Sequence, residues 1–453
     1  MMSDDHPSVA IVGGGLAGLA AAEAAARCGL RVRLFEARAQ LGGRAASFRD
    51  PRSGQWLDGC QHVALGCCTN LADFARRTGI DACFSRQRRL HFFGPDGTRS
   101  DVAAALLPAP LHLAPSFLRL KFLTLGQRLH ILRTMGRLVR ATTVSNAGPE
   151  ATVGDWLRGQ GESAAAIERF WSVILVSALG DLPDRLALSA ASQVFREGFL
   201  STRNAYELLL PTLPLAELYD ARVGRHLAEQ SVYVSRRTPI RQVLGNAGRA
   251  TAVVLSDGSQ QAFDFIVLAV PWHQAARLLA PELRAAVPAL DAADRFAGMP
   301  ISAVHLWFNR PICALPHAVL VDGPGQWLFQ PAWLQAENTN QSPSEHYYQV
   351  VISASNRIEF GIDQIGAQLR RVWPAAAAAR LIDARVLTYQ SAVFSMAPGL
   401  DGLRPPQRTP VPNLVLAGDW TATGWPATME GAVRSGYLAV ETILATLNMG
   451  GTS

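Results

Sequence analysis

The chain has 453 residues, 49% of them hydrophobic, and a formal net charge of +6 at pH 7. This length accommodates two or three cooperating substructures around a large buried core. No apolar run reaches about 18 residues, which argues against a membrane-spanning helix. The first ten residues, MMSDDHPSVA, lack the pattern of a secretory signal, so we expect a cytoplasmic protein.

The positive charge comes almost wholly from arginine, because Lys121 is the single lysine. No cluster of basic residues is interleaved with aromatic residues, so we expect no nucleic-acid partner. The six cysteines show no paired CxxC spacing, which argues against a zinc site and favours free thiols in a reducing compartment.

The N-terminal stretch has the order strand, glycine turn, helix, strand and acidic residue. These features are, in chain order, Val9 to Val12, the turn Gly13-x-Gly15-x-x-Gly18, the helical segment Leu16 to Cys28, the apolar run Val32 to Phe35, and Glu36. This order and spacing are typical of a dinucleotide-binding unit.

Each position of that fingerprint has a physical task. Gly13 makes the tight turn, Gly15 lets the backbone approach a pyrophosphate, and Gly18 lets the helix pack on the strand. The free amides and the positive dipole end of the helix face the phosphates. Glu36, about 20 residues further on, can accept hydrogen bonds from both ribose hydroxyls.

A second glycine turn follows the acidic residue, with Arg38 and then the run Leu41-Gly42-Gly43-Arg44. The stretch GGGLAGLAAA…VRLFEARAQLGGRAAS resembles the FAD-binding N-terminus of flavin amine oxidases and of phytoene and carotenoid desaturases. The resemblance implies FAD as the cofactor, with Glu36 on the adenosine ribose and Gly43 and Arg44 beside the phosphates and flavin. No cysteine follows Cys313, so we expect the FAD to be bound non-covalently.

The segment WLDGCQHVALG places Asp58, Gln61 and His62 within five residues. Such a cluster can present a proton donor in a cleft, although a structural turn with a satisfied histidine is the alternative. The segment is similar to the LDNGQHxxLG signature of hydroxysqualene dehydroxylases, which makes Asp58, Gln61 and His62 candidate catalytic residues. It departs from that signature at Gly59, where asparagine is usual, and at Cys60, where glycine is usual.

Residues 103–140 alternate apolar and basic side chains at helical spacing, after an early part broken by prolines. A basic amphipathic pattern can lie in a membrane interface, which predicts peripheral contact with the inner face of the cytoplasmic membrane. The alternative is a helical core with solvated arginines. Further on, Ala164 to Leu179 is apolar around most of a helix, which predicts burial on all sides.

From Ser231 the pattern changes to period two and predicts three strands, in SVYVSRRTPIRQVL, ATAVVLSDGS and FDFIVLAVP. By resemblance to the flavin oxidases, Ile240 in the first of them lies against the adenine. The runs HLWFNRPI, QWLFQ and YYQVVIS predict antiparallel strands of a substrate-domain sheet with one aromatic face.

The second strong signal is LVLAGDWTATGWPATMEGAVRSG near the C-terminus. A strand ends at Gly418-Asp419, a loop follows, and a helix opens at Thr428 and Met429. The stretch resembles the C-terminal FAD motif of the amine oxidase and desaturase group. The resemblance implies that Gly418 and Asp419 hold the ribityl chain and that the helix N-terminus stabilises charge on the flavin.

We therefore expect an α/β protein with a Rossmann-like FAD-binding domain of the glutathione reductase type and a second α+β substrate domain, as in flavin amine oxidases. The predicted segments are FAD-binding 1–75, mainly helical 76–225, FAD-binding 226–295, substrate-domain sheet 296–400 and FAD-binding 401–453. The expected activity is reductive dehydroxylation of hydroxysqualene, a C30 isoprenoid lipid, to squalene, with an unidentified electron donor. An isoprenoid desaturase and a non-enzymatic prenyl-lipid binding protein are the alternatives.

Overall fold

The computed structural model describes residues 6–141, 151–334 and 345–450. The strands are β1 (Ser8–Val12), β2 (Arg31–Phe35), β3 (Ser47–Arg49), β4 (Trp56–Asp58), β5 (Ala64–Leu65), β6 (Phe84–Gln87), β7 (Leu90–Phe93), β8 (Arg99–Val102), β9 (Leu208–Pro211), β10 (Tyr233–Ser235), β11 (Ile240–Gly245), β12 (Ala250–Leu255), β13 (Gln260–Ala262), β14 (Phe265–Leu268), β15 (Gly298–Phe308), β16 (His317–Leu320), β17 (Trp327–Phe329), β18 (His346–Ser353), β19 (Leu381–Phe394) and β20 (Leu414–Leu416).

The α-helices are α1 (Leu16–Arg27), α2 (Thr69–Arg77), α3 (Ala114–Phe117), α4 (Leu125–Ala141), α5 (Val153–Gly159), α6 (Ala164–Ala166), α7 (Val173–Leu179), α8 (Leu188–Phe195), α9 (Gly224–Glu229), α10 (Trp272–Ala275), α11 (Pro281–Ala286), α12 (Ala289–Ala293), α13 (Ile362–Val372), α14 (Pro374–Ala378) and α15 (Met429–Gly450). Three π-helical segments are Ile167–Ser172, Arg196–Leu200 and Ala216–Val223.

A five-stranded parallel sheet has the order β10-β2-β1-β14-β20. Its central strand β1 pairs with β2 on one side and β14 on the other, so that Val9 lies opposite both Val32 and Phe265. Strands β1 and β14 are buried on both faces and are therefore nearly continuous apolar runs, whereas β2, with Arg31 and Arg33, alternates. The strand, glycine turn, helix and strand predicted at the N-terminus are confirmed.

Helices α1 and α15 lie against each other beside this sheet. A Cβ atom at Gly436 would overlap the Ala17 carbonyl oxygen and lie 2.8 Å from the Ala21 amide nitrogen. Small residues therefore allow the two helices to approach closely, which brings the N-terminal and C-terminal flavin motifs to one edge of the sheet.

The stretch predicted as one strand from Ser231 is two strands that belong to different sheets. Strand β10 pairs with β2 in the parallel sheet, whereas β11 pairs with β12 in a separate antiparallel sheet with β13. Arg237, between them, has a φ angle of 53°, which breaks the extended conformation. A period-two pattern does not reveal this change of sheet, because both parts alternate in the same way.

A seven-stranded sheet has the order β19-β15-β18-β17-β16-β7-β8. The three antiparallel strands predicted in this region are confirmed as β15, β17 and β18, although β15 begins earlier, at Gly298, and ends at Phe308. Strands β7 and β8 come from 76–225, a stretch predicted as mainly helical, and they extend the sheet through the parallel pair β7 and β16.

Helices α6 and α7 are joined by the π-helical segment Ile167–Ser172 into one helical stretch, as predicted for Ala164 to Leu179. Complete burial was expected, but Ala164 and Glu168 are exposed, and only the C-terminal part is enclosed. Trp171 packs edge-on against Phe170 and Phe195 in the core. Within the described parts of the chain, no helix is both long and apolar enough to cross a membrane.

Candidate flavin and substrate site

The fingerprint glycines occupy positions where a side chain cannot fit. Gly13 has a φ angle of 111°, and a Cβ atom there would overlap the Ala269 carbonyl oxygen. A Cβ atom on Gly18 would overlap the Gly13 carbonyl oxygen. The turn from β1 into α1 is therefore tight enough to bring the helix N-terminus to the sheet edge.

The space in front of α1 fits the pyrophosphate of FAD. Gly15 precedes the helix, no side chain caps its first amides, and no acidic residue lies in its first turn. A Cβ atom on Gly15 would meet only one neighbour, the Gly43 Cα atom, in ordinary contact at 3.9 Å. Unpaired amides at a helix N-terminus bind anionic groups, and a bare backbone lets the anion approach.

The second glycine turn lies against the first. The Gly42 amide donates to the Gly14 carbonyl oxygen at 2.8 Å, and Gly43 adopts a φ angle of 62°. The structure thus brings Gly43 beside Gly15, as the predicted role of both at the phosphates requires.

Glu36 is almost fully buried at the end of β2. Its carboxylate accepts hydrogen bonds from the Gly14 amide and from the Arg38 amide, both at 2.7 Å. An ionised carboxylate has about four acceptor positions, so two remain for the hydroxyls of a ribose. The Arg38 side chain is exposed to solvent beside it.

Ile240 lies close to this acidic residue through the backbone. The Thr238 amide donates to the Glu36 carbonyl oxygen at 2.9 Å, two residues before Ile240. The Ile240 side chain is buried at the start of β11. The structure thus places it next to the ribose-binding position, where the resemblance implies an adenine contact.

Arg44 and Asp419 connect the two flavin motifs. One guanidinium nitrogen of Arg44 lies 2.6 Å from the Asp419 carboxylate, and the other donates to the Ala392 carbonyl oxygen at 2.7 Å. Gly418 has a φ angle of 146°, and its amide donates a 2.7 Å hydrogen bond to the Ser435 hydroxyl oxygen. The carboxylate of Asp419 is thereby held at the end of β20.

The N-terminus of α15 begins beside this carboxylate. The Thr428 hydroxyl accepts a hydrogen bond from the Gly431 amide at 3.3 Å. Glu430 lies in the first turn, but its carboxylate accepts from the Asn70 and Leu71 amides of α2. Its negative charge is therefore directed to α2, and Met429 remains at the start of a helix with its positive end toward the motif.

Asp58 is buried at the end of β4 and caps a neighbouring helix. Its Oδ1 atom accepts from the Ser47 hydroxyl at 2.6 Å and from the Leu215 amide at 3.0 Å. Burial raises the pKa of Asp58 to about 7, an effect that these two hydrogen bonds oppose. Its Oδ2 atom and the nearby Tyr219 hydroxyl, both buried, have no hydrogen-bond partner among the described residues.

His62 bonds to the backbone of its own loop and lies near Arg44. Its Nδ1 atom lies 2.8 Å from the Cys60 carbonyl oxygen, so Nδ1 carries the hydrogen and Nε2 is left for another partner. Burial lowers the pKa of His62, and the charge of Arg44 adds to that shift. No hydrogen bond joins His62 to Asp58 in the described structure, and the two side chains have different partners.

Gln61 is held by residues that the sequence did not single out. Gln349 of β18 accepts a short hydrogen bond from the Gln61 amide and donates to the Asp58 carbonyl oxygen at 3.0 Å. Tyr347 and His305 extend this network through a 2.7 Å bond between the Tyr347 hydroxyl and His305 Nδ1. The seven-stranded sheet therefore fixes the backbone of the loop that carries the candidates.

The Gln61 side chain also lines a pocket of about 50 Å³ between the loop and the sheet. Other lining residues are Ser85, Gln87, Leu210, Phe329 and Pro331.

Comparison with known proteins shows the family of the chain. Residues 16–444 match the model of the flavin containing amine oxidoreductase family. Hydroxysqualene dehydroxylase of Rhodopseudomonas palustris is 28% identical over 97% of this chain and 98% of its own length. The 15-cis-phytoene desaturase of Solanum lycopersicum is 26% identical over 96% of this chain and 77% of its own length.

Solved structures show the same fold. An oxidoreductase from Methanosarcina mazei superposes with a TM-score of 0.72 at 15% identity, over 96% of this chain and all of the other. Cyclohexylamine oxidase from Brevibacterium oxydans superposes with a TM-score of 0.68 at 18% identity, over 98% of this chain and all of the other. The chain therefore belongs to the flavin containing amine oxidoreductase family, and it is an FAD-dependent oxidoreductase.

Proposed function

We propose that the protein reduces hydroxysqualene to squalene. The observation that carries this proposal is the loop with Asp58, Gln61 and His62, in a chain that aligns from end to end with a hydroxysqualene dehydroxylase. An isoprenoid desaturase is the second candidate, because phytoene desaturases of plants and cyanobacteria align over a similar share of this chain.

Reduction of hydroxysqualene to squalene requires three contributions from the protein. An allylic hydroxyl leaves as water when a proton is supplied, and the electron pair of the C–O bond leaves with the oxygen. Reduced FAD, when bound, supplies the hydride that forms the new C–H bond. The chain itself must deliver the proton, keep water from the cationic carbon and hold the lipid.

His62 is our first candidate for the proton donor, because Nε2 is not engaged by a described residue and Arg44 connects the same region to Asp419. Asp58 supports the loop from the opposite side through Ser47 and Leu215. The wall that excludes water would come from the aromatic cluster around Trp171, which continues through Phe170, Phe195 and Phe199.

The test is an anaerobic incubation of purified, dithionite-reduced protein with hydroxysqualene, followed by mass analysis of the extracted lipid. Squalene appearing as the flavin reoxidises would support the dehydroxylase. If no squalene forms, and oxidised protein instead adds double bonds to squalene or phytoene, the desaturase proposal takes its place.

We also propose that the protein docks on an anionic bilayer through a surface formed by residues 106–132, which we name the leucine patch. Of the eleven strongly exposed large apolar side chains in the described residues, seven lie here: Leu106, Leu107, Leu111, Leu118, Leu125, Leu129 and Leu132. Such a concentration of exposed apolar groups is unusual on a water-facing surface.

The charges around the leucine patch suit an acidic lipid surface. Arg119, Lys121 and Arg133 are exposed on the same segment, and residues 103–141 contain no aspartate or glutamate. Basic groups beside inserted leucines would meet the anionic headgroups of the inner face of the cytoplasmic membrane. This surface would deliver the isoprenoid substrate to the helical part of the protein.

A further inference from the structure

Gly59 leaves the space that the Tyr389 side chain occupies. A Cβ atom built on Gly59 would overlap the Tyr389 hydroxyl oxygen and lie 2.8 Å from two carbons of its ring. Tyr389 belongs to β19, where it pairs with Ile301 of β15. The phenol therefore lies directly over the backbone of the signature loop, and only glycine at position 59 leaves room for it.

The Tyr389 hydroxyl makes no hydrogen bond to any other described residue. Buried polar atoms without a partner do occur in this structure, but the Tyr389 hydroxyl oxygen is not one of them, so it is not fully buried. It therefore retains accessible surface and can bind a ligand. A phenol that only filled the space over Gly59 would need no such opening.

The Tyr389 hydroxyl belongs to a strand that also contacts the candidate site. Three residues along β19, the Ala392 carbonyl oxygen accepts the 2.7 Å hydrogen bond from Arg44, whose other nitrogen binds Asp419. Gly59, which the phenol contacts, belongs to the loop from Asp58 to His62. Strand β19 therefore contacts both the arginine that joins the flavin motifs and the loop with the candidate residues, and the phenol lies where the strand meets the loop.

We propose that Tyr389 recognises the hydroxyl of the substrate by donating a hydrogen bond to it. Gly59 positions the phenol by leaving space for its ring. This inference rests on the proposed function for the identity of the ligand. An isoprenoid alcohol is apolar except for one hydroxyl, so a single fixed donor distinguishes it from the hydrocarbon product. The signature that this loop resembles has asparagine at position 59, and here the polar group comes from another strand.

The test measures dissociation constants of hydroxysqualene and squalene from changes in the flavin absorbance of the oxidised holoenzyme, so that turnover is not required. Tyr389→Phe should weaken hydroxysqualene binding about tenfold, the value of one hydrogen bond, and leave squalene binding unchanged. Gly59→Ala should have the same effect by displacing the ring. Tyr233→Phe, at an exposed tyrosine of β10, is the matched control and should change neither constant.

Equal weakening of both ligands by Tyr389→Phe, or of neither, would overturn the proposal, as would a wild-type protein that binds both lipids equally. Selective weakening of hydroxysqualene would support it even if reduced protein formed no squalene. In that case the proposed reaction fails while the hydroxyl-recognising role of Tyr389 stands.

Discussion

The Nη2 atom of Arg44 lies 2.6 Å from Oδ1 of Asp419, a residue 375 positions further along the chain. Hydrogen bonds between ionised groups are shorter and stronger than neutral ones, and the Asp419 carboxylate is almost fully buried. The second nitrogen, bound to Ala392, fixes the plane of the guanidinium. One side chain thus joins the second glycine turn, β19 and the end of β20.

Arg44→Lys should therefore lower the flavin content of the purified protein. A lysine ammonium cannot make both contacts in the same plane, and we expect a loss of about 1–3 kcal/mol in stability. The measurement is the ratio of flavin to protein absorbance together with thermal unfolding. Arg158→Lys is the control, because its pair with Asp155 is exposed; a similar loss in that variant would contradict the special role of Arg44.

Gly18→Ala should destabilise the holoenzyme by about 1–3 kcal/mol, because the new methyl group overlaps the Gly13 carbonyl oxygen. Flavin should be lost at the same time, since the turn can no longer close. Gly126→Ala in helix α4 has open space around it and should stabilise the protein by up to about 1 kcal/mol. Chemical denaturation of both variants checks this, and equal effects would refute the close-contact explanation.

His62→Gln should lower the rate of dehydroxylation about 100-fold, the contribution typical of a general acid. Burial lowers the pKa of His62, so the protonated donor becomes rarer as the pH rises. The wild-type rate should therefore increase from pH 8 to pH 6. The variant should lose this increase except for any part due to Asp58, whose pKa burial raises to about 7. Rate measurements across this pH range, with the flavin content checked for each protein, test whether His62 is the proton donor.

Asp58→Asn should keep most of the turnover, because the asparagine oxygen can still accept from Ser47 and Leu215. A 100-fold loss in this variant with bound flavin would make Asp58 the donor in place of His62. Full turnover in both variants would show that neither supplies the proton.

The buried side chain of His317 should make the folded protein less stable at acidic pH. Its side chain is fully buried, stacked on His91 with ring centroids 5.0 Å apart and close to Arg99 and Asp101. Burial, with His91 adding to the effect, lowers the pKa of His317 to about 4. Between about pH 6.5 and pH 4 the unfolded chain binds this proton and the folded chain does not, so the free energy of unfolding falls as the pH falls.

His317→Phe should reduce the loss of stability between pH 7.5 and pH 5 by on the order of 2 kcal/mol. Urea denaturation at the two pH values measures it. His6→Phe, at an exposed histidine, should leave the difference unchanged. A variant with the wild-type pH dependence would mean that His317 titrates normally.

Charged substitutions in the leucine patch should abolish binding to anionic liposomes. Leu106 and Leu125 are 96% and 62% exposed, so Leu106→Glu with Leu125→Glu should leave folding intact while removing the apolar contact. Flotation with anionic and neutral vesicles measures binding, and Ile362→Glu, elsewhere on the surface, is the control. Absence of wild-type binding to either vesicle would exclude this docking surface.

The local parts of the site could be predicted from the sequence. The turn Gly13 to Gly18 and the acid Glu36 interact within one continuous stretch, so their spacing carries the information. Gln349 could not be predicted in the same way, because its partners Gln61 and Asp58 lie almost 300 positions away. Glutamine in a strand has no pattern that distinguishes a loop-binding residue from an ordinary one.

Contacts between residues that are distant in the sequence also explain two further differences between prediction and structure. Asp58 looks like an acid in a cleft when its neighbours in sequence are considered, yet its carboxylate meets Leu215, which no local spacing reveals. The exposed leucines, in contrast, were already visible as a periodic pattern between residues 103 and 140. Their exposure could be established only once the helix faces were placed against the core.

The parallel sheet has a consequence for how the protein is made. Its central strand β1 emerges first from the ribosome, but its neighbour β14 follows more than 250 residues later and β20 later still. Until then the apolar edge of β1 has no partner on that side, and such edges promote association between chains. The sheet can therefore be completed only when β20 has been made, and a ribosome that stops before residue 414 releases a chain whose sheet lacks this outer strand.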